Sequence, residues 1–298
     1  MALTNLYHQY YRGYYDKSLV SKKEEGGRGH DKASVTRANK LFCTPLPEGL
    51  QANFDRLHSS LHACATHVIT GTVSGSGFLA GTGYPHESYL PSKSDINDAQ
   101  MGLSLHYSSG VPWLPGTSLK GILRSAMWPG SAGGKQLSKV ELEAARMHRL
   151  ICDVVAEHGD EAQPNPIATR DWNRYLFTGF HPNGDKRLSP TLQVAFLGAA
   201  VGFRENEPLF QLLHLAPQAG PTKKPIPIPY FSVAPGAEMS VYLQIPAIPG
   251  SNEHAQHIEQ TTQVMAYHLA ERGLGAKTRY GYGRLTNLSV TCLREDLA

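Results

Sequence analysis

The hydrophobic pattern of the chain predicts its strands. Residues 67–74 are rich in β-branched side chains, residues 192–203 are almost entirely apolar, and residues 238–245 alternate between apolar and polar. Residues 102–107 also alternate, and a last strand is predicted at residues 285–293. β-Branched residues and a period of two favour strands, and a continuous apolar run is typical of a buried strand. The pattern therefore predicts five strands.

Apolar positions three and four residues apart predict the helices. They recur in residues 51–65 and in residues 252–272. They recur again after the Pro-Gly pair at residues 115–116, where Thr117 or Ser118 can cap the helix. Helices are therefore predicted at these three places, in addition to the strands.

The order of these elements predicts an α+β fold. Strand, helix, helical insertion, two strands, helix and strand follow one another, which is the split βαβ order of a ferredoxin-like (RNA-recognition-motif-like) core. Such a core has its helices on one face of a sheet and leaves the other face open. Residues 66–298 are assigned to this domain, with a helical insertion at about residues 130–188. Residues 1–65 are predicted to form a tyrosine-rich segment, a mobile loop and a helix, and the proline-rich residues 204–235 a loop.

Composition and charge narrow the class of protein. The chain has 298 residues, is 41% hydrophobic, and carries 28 Lys and Arg against 25 Asp and Glu, for a net charge of +3. A charge this small means that any nucleic-acid surface must be local. No apolar run approaches the roughly 18 residues of a membrane span. The four scattered cysteines lack a Cys-x-x-Cys pair, which favours buried thiols in a reducing compartment over a disulfide framework or a zinc site. A cytoplasmic protein is therefore expected. We expect no cofactor and no metal.

A glycine-rich loop near the C-terminus, residues 273–284, is the first candidate site. Its sequence GLGAKTRYGYGR combines four glycines with three cations and two tyrosines. Glycine lets backbone N–H groups face a ligand, cations bind phosphates, and tyrosines can stack on bases. A flexible surface loop with incidental charges is the alternative. The residues predicted to contact RNA are Gly275, Ala276, Lys277, Thr278, Arg279, Tyr280, Gly281 and Gly283.

The helix after Pro115 is the second candidate site. Its first turn offers backbone N–H groups and the positive end of the helix dipole, and it carries cations one turn apart. This combination is typical of phosphate sites, and a plain capped helix with two solvated cations is the alternative. We expect it to bind RNA beside the glycine loop. Its predicted contacts are Gly116, Thr117, Ser118, Lys120 and Arg124.

Several catalytic motifs are absent from the sequence. Ala276 interrupts the Gly-Lys pair that a Walker phosphate loop requires, and there is no Gly-x-Ser-x-Gly or His-Glu-x-x-His sequence. His86, Asp95 and Asp98 fall in a long loop after the first strand, where solvated polar residues are the simplest interpretation. They could also cut RNA by acid–base or metal chemistry.

Two stretches resemble the RAMP superfamily of CRISPR proteins. Residues 110–124 read GVPWLPGTSLKGILR, similar to that superfamily's G-x-P-x-[I/L]-P-G-[S/T]-S-[L/I]-K-G-x-[L/I]-R block. The glycine-rich loop resembles its G-[I/L]-G-A-K-T-x-x-G-Y-G loop. Within the superfamily the chain is most similar to the family of sixth subunits of type III-B (Cmr) effector complexes. The tyrosine-rich start and the segment PIPIPYFSVAPG at residues 225–236 support that choice.

The resemblance implies a non-catalytic backbone subunit with an RNA-recognition-like core. Such a subunit would bind the spacer (3′) part of a guide RNA, lie near target RNA, and pack against other Cmr subunits. Relatives often read F-F-D-A on a central strand, where this chain reads Phe196-Leu197-Gly198-Ala199. Glycine at the acidic position removes any role carried by that aspartate.

Two alternatives remain open at this point. Some RAMP proteins process guide precursors, so the chain could be an endoribonuclease that uses His86, His106, Asp95 and Asp98. A purely scaffolding subunit, whose basic loops contact protein, is the other.

Overall fold

A computed structural model describes the molecule at residues 5–8, 10, 19–21, 28–30, 36, 39–40, 42–46, 50–81, 103–127, 170–181, 186–215, 228–247 and 252–294. The helices are α1 (Leu6–His8), α2 (Gln51–Cys64), α3 (Gly116–Met127), α4 (Arg170–Thr178) and α5 (Asn252–Glu271). The strands are β1 (Leu19–Ser21), β2 (Arg28–His30), β3 (His67–Val73), β4 (Trp113–Pro115), β5 (Ala195–Val201), β6 (Phe210–Leu215), β7 (Ile228–Val233), β8 (Glu238–Gln244) and β9 (Leu285–Cys292).

A five-stranded antiparallel sheet organises the chain. Its strand order is β4-β5-β8-β3-β9, and every neighbouring pair is antiparallel. The long strands β3, β5, β8 and β9 and the helices α3 and α5 follow the element order predicted from the sequence. The structure is thus α+β, as predicted. The first long strand, β3, lies between the last, β9, and the third, β8.

One face of this sheet forms the centre of the core. Because paired residues of antiparallel strands point to the same side, Ile69, Val241 and Ala199 lie next to one another. All three are buried. Helices α3 and α5 contact each other and the sheet, α3 through β5 and α5 mainly through β9. The apolar sides that the sequence predicted for these helices therefore pack against the sheet and against each other.

The second face is not open, contrary to the expectation for an RNA-recognition-like sheet. Tyr242 of β8 points to this side, and its hydroxyl is 2.7 Å from Nδ1 of His58 in α2. Phe54, also on α2, packs edge-on against Phe203 with ring centroids 5.5 Å apart. Only Ala65 and Thr66 separate α2 from β3. Because this connection is so short, α2 folds back across the sheet and buries its apolar side there.

Two loop regions differ from the sequence predictions. Residues 204–235 were predicted to be loop, yet β6 and β7 pair in this region as an antiparallel hairpin. Pro229 is tolerated in β7 because each strand of a two-stranded sheet has an unpaired edge, where the missing N–H of proline removes no hydrogen bond between strands. Residues 102–107 are predicted to be a strand, but the described residues 103–107 form only an isolated bridge, between Leu105 and Pro112. The chain turns there and pairs with itself.

The described part of the N-terminal segment packs into the same core. Tyr10 is fully buried and makes edge contacts with Phe42 and Phe231, at centroid distances of 5.7 and 6.0 Å. Tyr11, Tyr14 and Tyr15 of this segment, and most of the predicted insertion at residues 130–188, lie outside the described residues. Within the described ranges, no helix is both long and apolar enough to cross a membrane.

Candidate nucleic-acid interface

Close packing within the protein explains most glycines of the glycine-rich loop. A Cβ atom at Gly283 would overlap the Leu274 carbonyl, and one at Gly275 would overlap the Leu79 carbonyl oxygen. Both glycines also have positive φ angles, 72° and 84°, which other residues adopt only with strain. Gly275 and Gly283 are thus needed for the fold of the loop, whereas the sequence analysis explains the glycines by ligand binding.

Backbone hydrogen bonds anchor this loop to the segment that follows β3. The N–H of Ala276 donates to the Leu79 carbonyl at 3.1 Å, and that of Gly283 to the Gly77 carbonyl at 2.8 Å. A third bond closes the base of the loop, from the N–H of Leu274 to the Gly283 carbonyl at 3.0 Å. The loop is held at both ends, so its tip has a defined shape.

The tip of the loop forms a concave arrangement of backbone amides. Lys277 is left-handed, with φ 57° and ψ 32°, and is followed by a 3-10 helix from Thr278 to Tyr280. A left-handed residue before a right-handed one turns successive N–H groups toward a common point, which is an anion-binding nest. The N–H groups of Lys277, Thr278 and Arg279 donate to no acceptor among the described residues. The geometry fits a phosphate group.

The two tyrosines of the loop have different roles. Tyr282 is 9% exposed, and its hydroxyl lies 2.5 Å from that of Tyr230 in β7. The Lys277 ammonium lies 5.7 Å from the centroid of the Tyr230 ring, in a cation–π contact. Burial, together with the hydrogen bond to Tyr282, raises the pKa of Tyr230. Tyr280 is 78% exposed, so only Tyr280 offers a ring surface to a base.

The start of α3 is shaped by its approach to the sheet. The helix begins at Gly116, so Thr117 and Ser118 lie in its first turn instead of capping it from outside. A Cβ atom at Gly116 would overlap the carbonyl of Phe196, which explains the glycine. Thr117 and Arg124 are exposed, and Lys120 is half-buried. The helix has two cations and no acidic residue, so its local charge suits a phosphate.

The two candidate sites adjoin opposite edges of the sheet. Pro115, next to the start of α3, lies in β4 at one edge of the sheet, whereas the glycine loop leads into β9 at the other. Leu285 of β9 pairs with Val73 of β3. Val68 lies five residues earlier in β3, and successive pairing across β8 and β5 connects Val68 to Pro115 of β4. Four strand spacings of about 4.8 Å and five residues of about 3.3 Å separate the two points by roughly 25 Å. The joint site, like the RNA contacts themselves, stays a prediction.

Close packing explains why residue 198 is glycine where the RAMP pattern has aspartate. Its φ angle is +137°, and a Cβ atom there would overlap the indole ring of Trp113. Trp113 of β4 and Gly198 of β5 are diagonal neighbours in adjoining strands. The space that an acidic side chain would occupy is filled by an aromatic ring.

The nuclease candidates gain no support from the described residues. His106 binds its own turn, with Nδ1 2.9 Å from the Ser109 hydroxyl and its ring against Trp113. Burial lowers the pKa of His106. His86, Asp95 and Asp98 lie outside the described residues. In the part of the chain that the structure describes, no three histidine, cysteine or acidic side chains are grouped to hold a metal ion.

Comparison with known proteins gives similarities to solved structures. The chain is similar to a chain of the type III-B Cmr-beta complex bound to cognate target RNA, at 17% identity and a TM-score of 0.47, covering 87% of this chain and 74% of that chain. It is similar to Cmr6 from Pyrococcus furiosus, at 17% identity and a TM-score of 0.33, covering 74% and 96%. A chain of a Csm–crRNA–target RNA complex of a type III-A CRISPR-Cas system gives 15% identity, a TM-score of 0.24 and 70% of each chain.

The chain is similar to proteins of type III CRISPR complexes. This is the class of proteins that its sequence motifs resemble. No protein-family model matches the chain, and no curated protein matches it. Each TM-score lies below 0.5, so these likenesses assign no function to the chain.

Proposed function

We propose that the chain is a non-catalytic, guide-RNA-binding backbone subunit of a type III-B CRISPR (Cmr) effector complex in cytoplasmic antiviral defence. It grips the spacer (3′) part of the guide RNA and packs against other Cmr subunits, with target RNA nearby. The motifs at residues 110–124 and 273–284, which resemble the RAMP superfamily, support this assignment. The position of β3 between β9 and β8 supports a ferredoxin-like core.

The tip of the glycine loop is the observation that carries the proposal. Three successive amides at residues 277–279 form a concave anion site, and the same residues bring the cations Lys277 and Arg279. The exposed ring of Tyr280 lies next in the chain. Amides and cations suit phosphates, and an exposed aromatic ring suits an unstacked base. A single-stranded RNA is the ligand that uses all three.

The start of α3 is a second point of contact on the same RNA. Its first turn and the cations Lys120 and Arg124 bind phosphates, and this helix adjoins the edge of the sheet opposite to that of the glycine loop. Both sites bind through phosphate and backbone chemistry. This suits a guide whose spacer sequence varies.

RNA binding by the purified full-length chain tests the proposal. Fluorescence anisotropy with a labelled single-stranded polyuridine is measured over a series of salt concentrations for Lys120→Ala, Lys277→Ala and the double variant. Each lost phosphate contact is expected to lower the salt slope by about 0.7 and to weaken binding. Lys186→Ala, an exposed lysine outside both motifs, is the control. Unchanged affinity and slope in the double variant would exclude these contacts.

The absence of catalysis needs a separate measurement. Labelled guide-precursor and target RNA are incubated with the purified chain, with and without divalent metal ions. We expect no specific cleavage. Specific cuts that disappear in His86→Ala or His106→Ala would establish the endoribonuclease alternative instead.

A further inference from the structure

Tyr230 of β7 belongs to a small apolar cluster that packs against the glycine-rich loop. The buried members are Leu79, Tyr230 and Tyr282, with half-buried Leu213 and Ala276 packed against them. Tyr230 is only 3% exposed, and its hydroxyl is hydrogen-bonded to that of Tyr282 at 2.5 Å. A ring that is packed on its sides and bonded at its hydroxyl has a fixed position. The β6–β7 hairpin therefore contributes a rigid aromatic surface to the support of the loop.

The side chain of Lys277 lies over this fixed ring. Its ammonium is 5.7 Å from the centroid of the Tyr230 ring, within the distance of about 6 Å at which a cation and an aromatic face attract. Lys277 is half-buried, and its left-handed backbone begins the nest of amides at residues 277–279. One residue thus supplies both an amide of the nest and a cation, and Tyr230 restricts where that cation lies.

An aromatic ring can hold this cation without neutralising it. A lysine side chain that is free in solvent loses rotamer freedom when it binds a phosphate, and prior restriction reduces that loss. A carboxylate would restrict Lys277 too, but its negative charge would oppose a phosphate, and residues 273–284 contain no acidic side chain. Burial and the hydrogen bond to Tyr282 raise the pKa of Tyr230, so its phenol stays neutral. The contact preorganises Lys277 and preserves its positive charge.

We propose that Tyr230 is a positioning residue for RNA binding, whose ring holds the Lys277 ammonium beside the amide nest, ready to contact the phosphate bound there. Tyr230 acts through Lys277 and does not itself touch the RNA. This inference rests on the proposed function, and it extends the site to a residue outside both cationic motifs. That residue lies in the hairpin that the sequence analysis predicts to be a loop.

Stepwise fluorination of the ring at residue 230 tests this role. Ring fluorines weaken the negative face that attracts a cation and change the shape of the ring little. The full-length Tyr230→Phe chain is the reference, and phenylalanine carrying one, two or three ring fluorines is then incorporated at residue 230. Affinity for labelled polyuridine is expected to fall along this series, by about threefold to tenfold in all. The same series in the Lys277→Ala chain is expected to be flat, because the cation is absent.

Fluorination of Phe231, the next residue in β7 and fully buried, is the matched control. It is expected to leave RNA binding unchanged, and the melting temperature of every variant is measured alongside. An equal loss of affinity with fluorinated Phe231 would assign the effect to fluorine in the protein interior and overturn the inference.

The Lys277→Ala chain separates failure of this inference from failure of the proposed function. If Lys277→Ala weakens binding while the fluorine series at residue 230 is flat, the positioning role is overturned and the proposed function stands. An equal decrease along the series with and without Lys277 would show that Tyr230 does not act through this lysine, which also overturns the inference. Unchanged binding in Lys277→Ala itself would remove both the loop contact and the role of Tyr230.

Discussion

The hydroxyl of Tyr282 lies 2.5 Å from the hydroxyl of Tyr230, and this hydrogen bond joins the glycine loop to the β6–β7 hairpin. Both side chains are buried, and Lys277 lies over the Tyr230 ring. The sequence suggested that Tyr282 could stack on a base. Its ring instead holds the tip of the glycine loop in place.

Breaking this tyrosine pair is expected to destabilise the protein. Tyr230→Phe leaves the buried Tyr282 hydroxyl without its partner, so the free energy of unfolding should fall by about 1–3 kcal/mol in urea titrations. The double variant Tyr230→Phe/Tyr282→Phe should lose less than the sum of the two single variants, because no unpaired hydroxyl remains. Tyr280→Phe, at an exposed position, is the control. Simple additivity would show that the two hydroxyls do not interact.

Tyr280 is expected to contribute to RNA binding without contributing to stability. Tyr280→Ala removes a ring that is 78% exposed. Loss of one base stack costs about 1–3 kcal/mol, so affinity for polyuridine should fall about tenfold or more while the melting temperature is unchanged. Tyr107→Ala removes a ring of similar exposure, 72%, outside both motifs. An equal loss of affinity in the two variants would show that exposed aromatic rings contribute nonspecifically.

Gly283 and Gly281 provide a matched pair of substitutions in the loop. At Gly283, alanine would both overlap Leu274 and adopt a φ angle of +72°, so we expect a loss of about 2–5 kcal/mol of stability. At Gly281 the space is open, and only the φ strain of about 1–2 kcal/mol applies. Chemical denaturation measures both. If Gly283→Ala is as mild as Gly281→Ala, the loop is not packed as described.

His268 is expected to make stability depend on pH. Burial, aided by the nearby Arg272, lowers the pKa of His268 to about 4. The unfolded chain binds this proton near pH 6.5 and the folded chain only near pH 4, so stability should fall as the pH drops through this window. The decrease contributed by His268 is about 3 kcal/mol in all. His268→Leu should flatten that part of the curve, and His62→Gln, an exposed histidine, should not. An unchanged curve for His268→Leu would contradict its burial.

The α3 motif shows which features the sequence predicts and which depend on tertiary structure. Its spacing predicted a helix after Pro115 with Lys120 and Arg124 one turn apart, and the structure has that helix at Gly116–Met127. The sequence could not show that Gly116 is required by the carbonyl of Phe196, 80 residues away in the chain. Nor could it distinguish Gly116 from Gly121, where an added Cβ atom would meet nothing within 4 Å among the described residues.

The sequence by itself determined the local elements: strands from β-branched and alternating residues, helices from apolar spacing, and two short cationic motifs rich in glycine. These features depend on neighbours within a few residues. Tertiary structure alone decided that α2 covers the second face of the sheet, that Tyr282 is buried while Tyr280 is exposed, and that the two motifs adjoin opposite edges of the sheet. Those outcomes depend on strand order and register, which pair residues far apart in the chain and leave no periodic signal in it.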